Sequence, residues 1–323
     1  MGRILLIDTD TASDDAVALI MALRSREVRV AAITTVAGNV PVEQATRNAL
    51  YTAELCGAST PIYMGCSEPL IRKYEDATWF HGQDGLGDQG YPAPKRHAEA
   101  AHAVEAILET VRANPGIELV TLGPLTNIAV ALKRQPEMIR NVGRCVIMGG
   151  NPCCVGNVTP AAEYNMWVDP DAARIVCRSG LPIELVGWQL CRGEAVLNEG
   201  DIDKATGLGT ALATFAIDCN STAKDAYLRQ TGEIGISLPD PVAMSVALDP
   251  SICIEASDHY LDVEVASDLT RGMTVVDQLN AAENRRNRTL WAETVRRAKP
   301  ARICWTIDVA RWKAALFQAL RGL

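Results

Sequence analysis

Eight residues near the N-terminus hold four carboxylates, in the run Asp8-Thr-Asp-Thr-Ala-Ser-Asp-Asp15. They follow the apolar segment Ile4-Leu-Leu-Ile7. In an extended strand Asp8 and Asp10 share a face, which sets two like charges side by side behind a buried segment. Asp14 and Asp15 fall where a helix opens. Acids at a helix N-terminus are each favoured by about 0.3–1 kcal/mol, and Thr11 or Ser13 is placed to cap that helix. This accounts for the second pair but not for the first, whose repulsion has to be offset. A hard cation would offset it, and carboxylate and carbonyl oxygens suit calcium or magnesium.

Two metal chemistries fit these residues. The string Ile7-Asp8-Thr-Asp-Thr11 has the D-x-D-x-T form of haloacid-dehalogenase-type phosphatases, with Asp8 as nucleophile, Asp10 as acid/base and magnesium as cofactor. That chemistry also requires a later Gly-Asp pair at a strand end and a lysine. The sequence offers no such strand-end pair, and the reading leaves Asp14 and Asp15 without work.

The elements that must position these residues alternate along the chain. Short apolar runs, Ile4–Ile7, Val28–Val36, Ile117–Leu122, Cys145–Met148 and Ile183–Val186, each end in glycine or polar residues. Such runs read as buried parallel strands. Between them Asp15–Leu23 reads as an interior helix, and Val42–Leu55 and Ala98–Val111 as amphipathic ones. Val309, Trp312, Leu316 and Leu320 make one face of a last helix. The alternation predicts a largely parallel sheet covered on both faces, with right-handed crossovers. Ligands bind such sheets beyond the carboxyl ends of the strands, where Asp10, Asn39, Thr126 and Asn151 converge. The glycine-rich stretch Trp79–Gly90 reads as a mobile loop, a lid over that site.

Composition excludes several classes. The 323 residues carry 31 basic and 39 acidic side chains, net −8, which repels a nucleic-acid backbone. The basic run Arg285-Arg286-Asn287-Arg288 reads as a solvated face. Hydrophobic residues make up 48% and charged residues 22%, against wholesale disorder. No apolar run approaches the roughly 18 residues of a membrane span. Asp8 interrupts any signal-peptide core, and Leu6 stands where myristoylation needs Ser or Thr. Ten scattered cysteines without a C-x-x-C pair, and only four histidines, argue for reduced cytoplasmic thiols and against zinc. The adjacent Cys153 and Cys154 take no role.

The segment Leu6–Ala16 resembles the D-x-D-x-x-x-D-D opening of the nucleoside hydrolases, the inosine-uridine-preferring nucleoside N-ribohydrolases. Further stretches fit that family in order: Val36-Ala-Gly-Asn-Val40, His81-Gly-Gln-Asp-Gly-Leu86 and Leu122-Gly-Pro-Leu-Thr-Asn-Ile-Ala129. They are followed by Met148-Gly-Gly with Gly156-Asn-Val-Thr-Pro160 and Ala162-Glu-Tyr-Asn-Met-Trp-Val-Asp-Pro170, and by Pro239-Asp-Pro-Val-Ala243. The resemblance implies one α/β domain over residues 1–323, a Rossmann-like mostly parallel sheet flanked by helices. It implies hydrolysis of the N-glycosidic bond of small-molecule ribonucleosides with one calcium ion, in a homodimer or homotetramer.

By the same resemblance Asp10, Asp15 and Asp240 ligate calcium through side chains and Thr126 through its carbonyl, and Asp10 is the general base. Asp14 and Asn39 hold ribose hydroxyls, and Asn157, Glu163 and Asn165 grip the 5′ and 3′ hydroxyls. Helix capping is the alternative role for Thr126, Glu163 and Asn165. Two departures matter. Thr11-Ala12 stands where many members have Pro-Gly. Pro239 stands where the inosine-uridine-preferring branch places a histidine that protonates the departing base, so base preference does not carry over. His81 is then the remaining candidate acid, with an exposed loop position as its alternative. Trp79, Trp188 and Tyr227 either stack on a base or pack in the core. A calcium-dependent ribose-binding module without turnover is the contrasting reading, but it has no use for a positioned general base.

Overall fold

The computed structural model describes residues 2–321. Residues 1 and 322–323 of the expected 1–323 domain, including the first residue of the Met-Gly start, lie outside the described residues. In chain order the elements are β1 (Arg3–Thr9), α1 (Ser13–Arg24), β2 (Val28–Thr35), α2 (Val42–Leu55), β3 (Ile62–Met64), α3 (Thr78–His81) and α4 (Ala103–Ala113). Then come β4 (Ile117–Thr121), α5 (Thr126–Arg134), β5 (Val142–Met148), α6 (Tyr164–Val168), α7 (Pro170–Cys177) and β6 (Ile183–Val186). Four helices follow, α8 (Glu199–Thr206), α9 (Ala211–Asp218), α10 (Ser221–Thr231) and α11 (Pro239–Leu248). The chain closes with β7 (Cys253–His259), the hairpin β8 (Leu261–Val263) and β9 (Thr274–Val276), α12 (Arg288–Arg297), β10 (Ala301–Ile307) and α13 (Val309–Leu320).

Eight strands form one sheet in the order β3-β2-β1-β4-β5-β6-β10-β7, parallel except for the edge strand β7. This is the single-domain, mostly parallel α/β architecture that the alternation of apolar runs predicts. The chain steps outward from β1 to β3, returns to the centre, and proceeds the other way from β4. The reversal between β1 and β4 is the place where an open sheet leaves a crevice beyond its carboxyl ends. Asp8 is in register with Thr34 on one side and Thr121 on the other, so the ends of β2, β1 and β4 are level there.

The period-2 alternation of the strands divides the core. Leu5, Ile7, Val120, Val146 and Met148 face one apolar layer, and Leu6, Leu119, Cys145 and Ile147 face the other. Helix α1 is buried at ten consecutive positions from Ser13 to Ala22 and packs against α2, α11 and α13. A helix apolar on all sides belongs inside a structure. Neither Thr11 nor Ser13 caps it: the N-cap is Ala12, and the Asp15 carboxylate accepts the Ala12 N–H at 2.9 Å. Helix α4 starts five residues later than its pattern predicts, because His102 Nδ1 accepts the Val104 N–H at 3.2 Å and ends the preceding coil.

The stretch Trp79–Gly90 is fastened rather than loose. Its first residues form α3, and Asp84 Oδ1 accepts the N–H groups of Leu86 at 2.7 Å and Asp88 at 3.0 Å. The Asp84 carbonyl accepts from Asn48 and Gln44 of α2. No helix among the described residues is long and apolar enough to cross a membrane.

Candidate active site

A cleft opens beyond the strand ends at the reversal point, where ligands of open α/β sheets bind. Its floor is acidic. Asp14, Asp15 and Asp240 bring carboxylate oxygens within 4.8 Å of one another, and all three are buried. Two come from the start of α1 and the third from the start of α11, where Pro239 at the first helical position presets φ. That helix-starting role accounts for a proline at position 239.

Asp10 stands beside this trio, held between two loops. Asn39 N–H donates to its Oδ2 at 2.6 Å. A Cβ on Gly38 would lie 2.0 Å from Oδ2, and one on Gly123 would lie 2.5 Å from Oδ1. Only glycine lets the backbone after β2 and β4 approach the carboxylate this closely. Oδ1 of Asp10 and Oδ1 of Asp14 are buried without a hydrogen-bond partner among the described residues.

Burial, then the charge of Asp15, drives the Asp10 carboxyl well above the ordinary range. Burial and the charges of Asp14, Asp15 and Asp10 do the same to Asp240, and Asp14 rises to about 7 from burial and the Asp15 charge. The carboxylates of this floor therefore cannot all ionise without an added positive charge. Orphaned carboxylate oxygens with this electrostatic debt fit a divalent cation, and among protein cations the all-oxygen donor set suits calcium or magnesium.

Asp8 does not belong to the group. Its Oδ1 accepts from Thr34 Oγ1 at 2.5 Å and from Asn127 Nδ2 at 2.8 Å, which brace the ends of β1, β2 and α5. Alternation fails to keep Asp8 and Asp10 on one face because β1 ends at Thr9. Thr126 opens α5 without capping it, since the N-cap is Leu125. Its hydroxyl donates instead to Asp169 Oδ2 at 2.7 Å, and Thr126 is not on the cleft wall.

Asn39, Asn157, Glu163 and Asn165 all line the cleft with Asp14. Glu163 does act as a cap, for α6, accepting the Asn165 and Met166 N–H groups, and it also accepts the Gly150 N–H at 2.7 Å. Asn165 Nδ2 donates to the Leu122 carbonyl at 2.7 Å, and Asn157 Oδ1 accepts the Tyr164 N–H at 2.9 Å. Trp79, Phe80, His81, Trp188 and Pro239 also stand on the wall. Trp79 is 55% exposed at the rim. His81 is not an exposed loop residue: it ends α3, is 8% exposed, and its Nδ1 lies 2.8 Å from Ser13 Oγ. Burial pushes its pKa down to about 3, so the ring is neutral near pH 7. Tyr227 does not reach the cleft. It packs edge-on against Trp188, and its hydroxyl donates to Glu233.

Residues 5–314 match the family model described as inosine-uridine preferring nucleoside hydrolase. The chain belongs to the nucleoside hydrolase family. An uncharacterized protein of Schizosaccharomyces pombe is 38% identical over 84% of this chain and 88% of its own length. The pyrimidine-specific ribonucleoside hydrolase RihA of Shewanella sp. strain ANA-3 is 36% identical over 90% and 91%. Among solved structures, a purine-preferring ribonucleoside hydrolase from Gardnerella vaginalis superimposes with a TM-score of 0.88 at 31% identity, covering 98% of each chain. A plant nucleoside hydrolase superimposes at 0.93 with 29% identity over the whole of both chains. Membership sets aside the phosphatase reading and makes the chain an N-glycosidase of a metal-dependent family.

Several groups of this nucleoside hydrolase cleft have no signature in sequence. Asn220, Gln230 and Ser237 line it. Asn220 Nδ2 donates to the carbonyls of Ala216 and Ser13, while its Oδ1 is buried without a partner among the described residues. An isolated polar residue at a helix start carries no spacing signal. The glycine clamp on Asp10 yields an expected result. Gly123→Ala displaces the Asp10 carboxylate and lowers kcat/KM by roughly 10²-fold, the cost of a misplacement of about 1 Å. A steady-state assay beside a melting curve checks this, and an unchanged kcat/KM would show that the clamp is dispensable.

Proposed function

We propose that this nucleoside hydrolase uses one calcium ion to hydrolyse the N-glycosidic bond of ribonucleosides, releasing the base and ribose. One observation carries the reading: a buried floor of carboxylates, short of positive charge, at the closed end of a cleft walled by polar and aromatic side chains. Asp10, Asp15 and Asp240 would hold the ion with the Thr126 carbonyl, and Asp14 lies close enough to join them. When bound, calcium supplies the charge that lets these carboxylates ionise together and acidifies a water in the site.

Asp10 takes the proton of the attacking water as general base. Its clamp between Gly38 and Gly123 supports this role, because a base must be held in one orientation to work. The sugar passes through an oxocarbenium-like state, which the surrounding carboxylates stabilise. Asp14 and Asn39 hold ribose hydroxyls near the floor, and Asn157, Glu163 and Asn165 grip the far side of the sugar. Trp79 and Trp188 flank the base, and His81 presents an N–H to it as it leaves.

A site that binds the 2′-hydroxyl leaves buried polar groups unpaired when that oxygen is missing. Adenosine or uridine should therefore exceed its 2′-deoxy counterpart in kcat/KM by roughly 10²-fold or more. A reducing-sugar assay across ribonucleosides and deoxyribonucleosides measures this directly. Comparable rates for the two sugars would sink the ribose-binding assignment, and the absence of free ribose from every nucleoside would sink the hydrolase reading.

A further inference from the structure

We infer that Ser13 is a positioning residue that holds His81 in the tautomer carrying its proton on Nε2, so that the ring offers a hydrogen-bond donor to an acceptor atom of the base. The inference deepens the reading of His81 given above and rests on it. Ser13 Oγ lies 2.8 Å from His81 Nδ1, with both side chains buried. Among the described residues Nδ1 is the one polar atom within hydrogen-bond reach of that hydroxyl.

The direction of the bond follows from what each partner can do. A serine hydroxyl donates one hydrogen, and Nδ1 either accepts it or donates its own. If Nδ1 donated, the buried Ser13 hydrogen would point at no acceptor, and a buried donor left unpaired is destabilising. If Ser13 donates, both groups are satisfied and the ring hydrogen resides on Nε2. Asp14 Oδ1 does not compete for Nδ1, because at 3.9 Å it is beyond hydrogen-bond range.

The neighbours hold both partners in place. The Ser13 carbonyl accepts from Asn220 Nδ2 at 3.4 Å and Cys219 Sγ at 3.5 Å, and the Phe80 ring lies 4.9 Å from the imidazole. His81 lines the cleft, and its Nε2 makes no hydrogen bond among the described residues. Position 13 is one of the unconstrained positions of D-x-D-x-x-x-D-D, and Pro239, the second departure from the family pattern, lines the cleft together with His81. The Ser13 and His81 pair thus supplies, from another element of the same cleft, the donor that a histidine at position 239 would have given. Its natural complement is a base presenting a ring nitrogen or carbonyl oxygen on that side.

Nitrogen-15 NMR of the histidine-labelled enzyme tests the inference, with His81→Ala identifying the His81 signals among the four histidines. The expected spectrum shows His81 as the Nε2–H tautomer in the wild type, and Ser13→Ala shifts it to a mixture or to the Nδ1–H form. An Nδ1–H wild-type ring, or a spectrum that Ser13→Ala leaves unchanged, overturns the proposal. In kinetics, Ser13→Ala should lose roughly 10-fold more kcat on the fastest ribonucleoside than on p-nitrophenyl riboside, whose leaving group needs no donor. Equal losses for Ser13→Ala, where His81→Ala does discriminate between the two substrates, overturn it. His81→Ala separates the two levels: equal losses for that variant, with the Nε2–H tautomer intact, would remove His81 as the leaving-group donor and leave Ser13 as the residue that sets its tautomer.

Discussion

Replacing Asp10 with asparagine is expected to lower kcat by roughly 10²–10⁴, the span for losing a general base. That corresponds to about 3–5 kcal/mol of barrier. The fold should survive. Asparagine fills the same space between Gly38 and Gly123 and keeps an acceptor for the Asn39 N–H. It also removes a charge from a floor where burial already disfavours ionisation. Single-turnover rates with a melting curve read the two effects apart, and calorimetric titration of calcium into the variant distinguishes a lost base from a lost ligand. Near-normal kcat in Asp10→Asn would remove Asp10 from the role.

Chelation should abolish turnover, and added calcium should restore it. The same experiment has a signature in stability with a definite sign. Without the cation the folded protein holds Asp14 at a pKa of about 7, against about 4 for a carboxyl in the unfolded chain. The folded state then binds more protons than the unfolded state between these values, so its stability falls as pH rises from about 4 to about 7. With calcium bound the carboxylates are ionised in the fold and this loss disappears. The gap in Tm between loaded and chelated enzyme should therefore widen from pH 5 to pH 8. At free calcium 100-fold above its Kd the gap is about 2.7 kcal/mol, or roughly 4 °C for a chain of this size. A gap that narrows with rising pH, or chelated enzyme with full activity, would refute a cation on this floor.

The parts legible in sequence are those with a pattern that only one structure satisfies. Strands β1, β2, β4, β5 and β6 are covered on both faces over most of their length and read as nearly unbroken apolar runs. Edge strand β7, Cys-Ile-Glu-Ala-Ser-Asp-His, turns half its residues to solvent and has no such run, and β3, β8 and β9 are three residues each. At the site, crowded acids demanded an explanation, and Asp14, Asp15 and Asp240 do meet. Alternation groups Asp8 with Asp10 because it says nothing about where a strand stops. The glycines that follow His81 leave a cleft position and an exposed loop position open in sequence, and the short helix α3 decides for the cleft by tucking it under Ser13. Trp188 and Tyr227 are both aromatic and both buried. Residue type cannot tell that Trp188 faces the cleft while Tyr227 supports it from behind.

The acidic floor is assembled from the two ends of a long stretch of synthesis. Asp15 leaves the ribosome about 225 residues before Asp240, a delay of roughly 11–45 s at about 5–20 residues per second. Throughout that interval α1, apolar from Ala16 to Leu23, lacks both α11 and α13, which later bury it. The nascent chain therefore has to shelter a helix with ten consecutive buried positions before the partner that completes the acidic floor exists. On the proposed reading, metal capture is a closing step of biogenesis, and any product ending before residue 240 carries the acids of α1 without their counterpart.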